Sequence, residues 1–158
     1  MRIGVISDTH GRLSPGALTA LAGVELILHA GDIGKQAVID ELSQLAPVLA
    51  VRGNTDAGTP LARAYPAMHW VEREGVRIYM THIGGRPAEL EAALPADPTV
   101  RPDVYIFGHT HVALLERVGG VLFLTPGSAG APRFGGGLSV ALLEAAGGRA
   151  EARLIPLG

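Results

Sequence analysis

The chain has 158 residues, a net charge of −2 and no cysteine, with 47% hydrophobic and 18% charged residues. This length and composition fit one compact domain (1–158) with its own core, and the missing cysteines exclude a disulfide framework, a thiolate nucleophile and thiolate-ligated metal sites. The charge balance gives no basic field to hold a long nucleic acid, no apolar run approaches the ~20 residues of a membrane-spanning helix, and the N-terminus lacks a signal-peptide layout, so a cytoplasmic protein is expected.

Arg2 to Ser7 is a β-branched apolar run that ends in Asp8-Thr9-His10-Gly11. Ser14 to Leu21 follows as a helix, with Ser14 in the N-cap position and Pro15 at the first helical position. Val24 to Ala30 is a second strand ending in Gly31-Asp32, and Gln36 to Leu45 carries Val38, Ile39, Leu42 and Leu45 at helical spacing. Pro47 to Val51 is a third strand ending in Arg52-Gly53-Asn54-Thr55-Asp56. Short apolar strands alternating with helices predict a parallel α/β arrangement for this half. Residues 57 to 66 read as an irregular connection, and Met68–Glu72 with Val76–Thr81 as a hairpin about Glu74-Gly75. After a helix over Pro87–Leu94 and a strand over Asp103–Phe107, paired glycines predict two hairpins. Gly119-Gly120 separates Val112–Val118 from Val121–Thr125, and Gly147-Gly148 separates Leu138–Leu143 from Ala150–Ile155, so the last third is expected to be antiparallel.

Five of these strands end in a small residue followed by a metal-competent side chain: Asp8 and His10, Asp32, Asn54, His82, and His109 and His111. Ligands collect at the carboxyl ends of strands in α/β sheets, so five such endings predict one crevice. Extended backbone would put Asp8 with His10, and His109 with His111, on common sides, each pair reaching the same cluster. Two Asp, four His and one Asn exceed one tetrahedral shell and suit two ions sharing a carboxylate. Four imidazoles favour Mn, Fe, Zn, Co or Ni over Mg or Ca. Singly, Asp-x-His, Gly-Asp and Gly-Asn-x-Asp are ordinary turn signals; the five in order carry the reading. His29 is expected to pack near Asp32, and His69 to be exposed.

The order Asp8-Thr9-His10, Gly31-Asp32, Gly53-Asn54-Thr55-Asp56, Thr81-His82 and Gly108-His109-Thr110-His111 resembles the calcineurin-like metallophosphoesterases, in their small single-domain prokaryotic phosphodiesterase branch. Thr125-Pro126-Gly127-Ser128 and Pro132-Arg133 extend the likeness to about residue 135. The resemblance implies a four-layer αββα sandwich and two divalent transition-metal ions, manganese first in expectation. One ion would be held by Asp8, His10, Asp32 and His111, the other by Asp32, Asn54, His82 and His109. It implies hydrolysis of small phosphate esters, most of all diesters, by a hydroxide lying between the ions. Asn54 would both ligate and position the phosphate, and Arg12 or Arg133 would clamp a phosphate oxygen. Thr55 stands where many relatives have a histidine that assists the reaction. Threonine is no acid near neutral pH, so Asp56, His29 or the substrate would have to supply a proton. Ile83 after His82 replaces a common glycine. A nuclease and a non-catalytic protein-binding scaffold of the same fold are the alternatives, and a homo-oligomer is compatible with the sequence.

Overall fold

The computed structural model describes residues 1–130 and 137–157. Its first half alternates β1 (Arg2–Ile6), α1 (Pro15–Ala20), β2 (Leu26–His29), α2 (Gln36–Ser43) and β3 (Val48–Ala50). Pro15 opens α1, where a missing N–H costs nothing, while Ser14 at the N-cap makes no side-chain cap bond. A 3-10 turn at Asn54–Asp56 leads to α3 (Leu61–Ala64), then to the hairpin of β4 (Met68–Arg73) and β5 (Val76–Thr81). The chain continues through α4 (Pro87–Ala93), β6 (Val104–Ile106), β7 (Leu114–Val118), β8 (Val121–Thr125), β9 (Leu138–Ala146) and β10 (Arg149–Leu157).

α3 lies within the stretch expected to be irregular. Four residues are too few for a helical period to register in sequence, and tertiary contacts hold this turn. Leu61 is buried in the apolar cluster that also holds residues of α1 and α2, and the Arg52 guanidinium donates to the Ala62 and Tyr65 carbonyls at 3.4 and 3.1 Å.

The strands form two mixed five-stranded sheets, in the orders β10-β9-β1-β2-β3 and β4-β5-β6-β8-β7. In the first, β1, β2 and β3 are parallel and β9 joins β1 antiparallel. In the second, β5, β6 and β8 are parallel, flanked by antiparallel β4 and β7. The antiparallel expectation for the last third therefore holds for each hairpin and fails at β8, whose other neighbour is β6 in parallel register, Val104 opposite Leu122. Glycine pairs announce the hairpin, but nothing local specifies a partner from another part of the chain.

Alternation along the strands makes three apolar layers. Ile3, Val5, Leu28, Ile78, Met80, Ile106, Leu124 and Leu143 fill the space between the sheets. Ile6, Ile27, Val140 and Leu142 point outward from the first sheet to α1, α2 and α3, and Tyr105, Phe107 and Phe123 point outward from the second sheet toward Leu90 of α4. The result is helix, sheet, sheet, helix. Since β1, β2, β3, β5, β6 and β8 are parallel within their sheets, the loops that leave their C-terminal ends gather on one edge of the sandwich. Among the described residues no helix is long and apolar enough to cross a membrane.

Candidate metal centre

The loops leaving β1 and β2 run side by side, with Asp8 N, His10 N and Gly11 N donating to the carbonyls of Gly31, Asp32 and Ile33 at 3.0, 2.9 and 2.7 Å. Loops from the second sheet cross to them. Ala129 N donates to Ser7 O at 3.1 Å, and the His82 ring bonds Ala30 O at 2.7 Å. The five strand endings therefore meet across a sandwich of two sheets rather than along one open sheet.

At that edge the backbone is not extended. Asp8, His10, Asp32, His109 and His111 have φ of 55, 48, 55, 75 and 63°, in the left-handed region that side chains with a Cβ rarely occupy. Each such residue costs on the order of 1–3 kcal/mol and persists only where its surroundings enforce it. Alternate residues share a side only in extended strand, so the pairing that spacing predicts for His109 with His111 fails, while Asp8 stays with His10 and the groups follow the ligand sets implied by the resemblance. Asp8, His10 and His111 form one group with their potential ligand atoms within 4.8 Å of one another, and Asp32, His82 and His109 form a second. The two histidines of Gly108-His109-Thr110-His111 thus part, one to each group.

Distances within and between the groups suit ions whose bonds are roughly 2.0–2.2 Å long, which set neighbouring ligand atoms about 3–3.5 Å apart. His10 Nε2 lies 3.2 Å from His111 Nε2, and His111 Nε2 lies 3.4 Å from Asp8 Oδ1. Asp32 Oδ2 is 3.1 Å from His82 Nε2 and 3.7 Å from His10 Nε2, so one carboxylate oxygen faces both groups. Exposed Asn54 touches the second group through Oδ1, 3.1 Å from His109 Nδ1. Asp8 Oδ1 is buried with no hydrogen-bond partner among the described residues, and buried His82 Nε2 faces the Asp32 and Asp8 carboxylates at 3.1 and 3.8 Å. A buried polar atom without a partner is costly, and a divalent cation satisfies it. The donor set therefore fits divalent ions.

The opposite face of each ligand is anchored. Asp8 Oδ2 accepts from Ser7 Oγ at 2.7 Å and from His109 N at 3.1 Å, which leaves Oδ1 to the site. Thr55 N donates to Asp32 Oδ1 at 2.9 Å, which leaves Oδ2. A carbonyl only accepts, so His82 carries its proton on Nδ1 toward Ala30 O, and Nε2 offers a lone pair. Burial would raise the Asp32 carboxyl, but His82 and Thr55 outweigh it and hold it well below the usual carboxylate range. Burial would lower the His82 imidazole, but Asp32, the Ala30 carbonyl and the Asp8 charge raise it instead. Without an ion these two side chains compensate each other.

The anchoring roles of Asp56, Ser7 and Ser128 escaped the sequence reading. Gly-Asn-x-Asp looks like a turn, yet Asp56 is fully buried and accepts from Ile33 N, Gly34 N and Gly53 N at 3.1, 3.0 and 2.9 Å, stapling the loop after β3 to the loop after β2. Ser128 Oγ donates to Asp8 O at 2.9 Å. The one signal in sequence was the small polar residue beside each ligand. His29 is buried as expected, with Nδ1 accepting from Gly31 N at 3.1 Å and Nε2 3.0 Å from Thr9 Oγ1, whose own proton goes to Ile33 O. Those partners define the neutral Nε2–H tautomer. Neither Asp56 nor His29 is placed to protonate a leaving group, because both are enclosed and occupied. His69, expected to be exposed, is half-buried on β4 and lies outside both groups. Arg12 is exposed on the loop after His10, and Arg133 lies outside the described residues.

Glycine fixes how tightly these loops close. A Cβ on Gly53 would lie 2.0 Å from Asp32 Oδ1, and one on Gly108 2.2 Å from Ser7 Oγ. Gly53→Ala is expected to displace Asp32 and weaken metal binding by roughly tenfold or more, measured by chelator competition. Gly137→Ala, which meets nothing within 4 Å, should bind as the wild type does. Equal affinity in the two variants would contradict the role given to Asp32. Burial lowers His29 from 6.5 to about 3. Below 6.5 the unfolded chain takes up a proton that the native state refuses, so this residue's contribution is full above that pH and falls by about 1.4 kcal/mol per unit on acidification. His29→Gln lacks that proton. The gap in unfolding free energy between wild type and variant should shrink by about 2 kcal/mol from pH 7 to pH 5, and a constant gap would mean that His29 is not held neutral.

The profile of the Calcineurin-like phosphoesterase superfamily domain matches residues 1–148. A probable metallophosphoesterase of Methanothermobacter thermautotrophicus is 34% identical over 168 residues, covering 100% of this chain and 94% of that protein. A phosphodiesterase of Methanocaldococcus jannaschii is 32% identical over 143 residues, covering 80% of this chain and 83% of that protein. Among solved structures, an archaeal phosphodiesterase superposes with a TM-score of 0.77 at 27% identity over 98% of this chain and 100% of its own. Vps29 of Entamoeba histolytica in complex with Zn2+ superposes with a TM-score of 0.76 at 23% identity over 100% of both chains, a likeness of fold. On the strength of the profile match and these identities, the chain belongs to the calcineurin-like phosphoesterase superfamily.

Proposed function

We propose that the chain is a metal-dependent phosphodiesterase acting on small phosphate esters, with two divalent transition-metal ions at the edge of the sandwich. The observation that carries this reading is the buried Asp8 Oδ1, which has no hydrogen-bond partner among the described residues and faces imidazoles of both groups, beside the Asp32 oxygen that also faces both. Asp8, His10 and His111 would hold one ion, His82, His109 and Asn54 the other, and Asp32 would reach both. Bound there, such ions would supply an ionised water for in-line attack on phosphorus and would neutralise phosphoryl oxygens as charge develops.

The chain's own residues define the rest. Asn54 and His109 are exposed while Asp8, Asp32 and His82 are buried, so a phosphate would approach from the Asn54 and His109 side. The Asn54 amide is free to turn a donor toward a phosphoryl oxygen, and Arg12 is the nearest cation in sequence to the first group. No acid stands ready for a leaving group. Thr55 has no proton to give near neutral pH, and Asp56 and His29 are sealed by backbone and hydroxyl partners. Substrates whose leaving group departs as a stable anion are therefore favoured. Manganese is the first choice of metal from the family resemblance, and the mixed imidazole, carboxylate and amide set accepts it alongside Fe, Co, Ni and Zn.

The test is hydrolysis of an activated aryl diester by metal-free protein titrated separately with Mn2+, Ni2+, Zn2+ and Mg2+, beside His109→Ala. Activity should return near two equivalents of a transition metal and fall by roughly a hundredfold or more in the variant. Binding of two ions without turnover of any ester would instead favour a non-catalytic scaffold. Across a series of aryl and alkyl diesters the rate should drop steeply as leaving-group pKa rises; a flat series would contradict the missing acid.

A further inference from the structure

Beside the second ligand group lies an open cavity of about 300 Å3 that shares Asn54 and His82 with the candidate centre and is otherwise lined by Arg52, Gly53, Ala57, Ala67, Thr81 and Ile83. This size falls at the small end of ligand pockets and is enough for one planar ring. The cation that reaches it, Arg52, is engaged, its guanidinium donating to the Ala62 and Tyr65 carbonyls. No carboxylate lines the cavity. Ile83 stands at its rim with 55% of its surface exposed, an apolar side chain of this size left in water beside a polar centre.

We propose that this cavity is a subsite for the organic arm of a phosphodiester that stays bonded to phosphorus, that the arm is uncharged and apolar or aromatic, and that Ile83 selects for it. The inference rests on the phosphodiesterase reading and names the substrate class for it. A phosphate seated against Asn54 and His109 has one ester arm adjacent to the cavity. That arm is the retained one, because its ring keeps its contacts with Ile83 and the alanines throughout, whereas the leaving group departs in line with the attacking water. An anionic arm, such as a second phosphate, would meet Arg52 on one wall, already turned to the Ala62 and Tyr65 carbonyls, and otherwise lie against alanine and isoleucine. A ring would bury the Ile83 and alanine methyl groups. The cavity also gives a reason for α3. By holding the Ala62 and Tyr65 carbonyls, Arg52 ties the exit of β3 to that helix and fixes the intervening loop that carries Ala57.

Two measurements test this. In the first, the manganese-loaded protein is assayed with phenyl 4-nitrophenyl phosphate and methyl 4-nitrophenyl phosphate, which release the same leaving group and differ in the retained arm alone. The ratio of kcat/KM for phenyl over methyl should fall by roughly tenfold in Ile83→Asp relative to wild type, the loss expected when a buried ring meets a charged wall. In the second, the methyl NMR signals of Ile83, Ala57 and Ala67 are followed while diphenyl phosphate or dimethyl phosphate is added. Diphenyl phosphate should shift all three and dimethyl phosphate none. An unchanged ratio in the variant, or Ile83 signals unmoved at saturating diphenyl phosphate, overturns the subsite. Shifted signals without hydrolysis of either diester would keep the subsite and remove the phosphodiesterase reading.

Discussion

Two carboxylates, Asp8 and Asp32, are buried at the seam between two sheets, and the surrounding structure is organised around compensating their charge. An isolated carboxylate in such a place costs several kcal/mol. Here each has one oxygen secured by donors from the chain, Ser7 and His109 N for Asp8, Thr55 N for Asp32, and each turns the other oxygen toward a common space ringed by imidazoles. The Asp32 and His82 side chains, shifted in opposite directions, show the balance reached by protons alone. Divalent cations would reach the same balance with ligand bonds in place of an ion pair, and would release the His82 proton on binding.

That constraint explains where the fold accepts strain. Five candidate ligands lie in left-handed backbone, and glycines at 31, 53 and 108 admit neighbours so close that a single methyl group would collide with a ligand or its anchor. Regular packing elsewhere supports this. The apolar layer between the sheets and the outer layers against the helices are built from alternating strands without such exceptions. The Asp56 staple transmits that rigidity to the loop after β3, which carries Asn54, so the most exposed ligand candidate rests on a buried carboxylate with three backbone donors.

Much of this was legible in the residues. Period-two strands, helical spacing at Val38, Ile39 and Leu42, and glycine-marked hairpins lead to the observed elements, and the ordered strand endings lead to the candidate centre. What escaped was non-local. The parallel union of β6 with β8 and the short helix α3 depend on partners distant in sequence. The division of His109 and His111 between two groups, implied by the family resemblance, could not be read from their spacing, because it depends on positive φ, which a His does not advertise. Asp56 shows the same limit. A turn signature and a structural staple use the same letters, and burial alone distinguishes them.

The dinuclear centre is tested most directly by anomalous diffraction from crystals of the manganese-loaded protein. Two peaks are expected, one among Asp8, His10 and His111 and one among Asp32, His82, His109 and Asn54, with an Asp32 oxygen in contact with both. A single fully occupied peak, or peaks away from Asp32, would contradict the shared carboxylate on which the proposed chemistry depends.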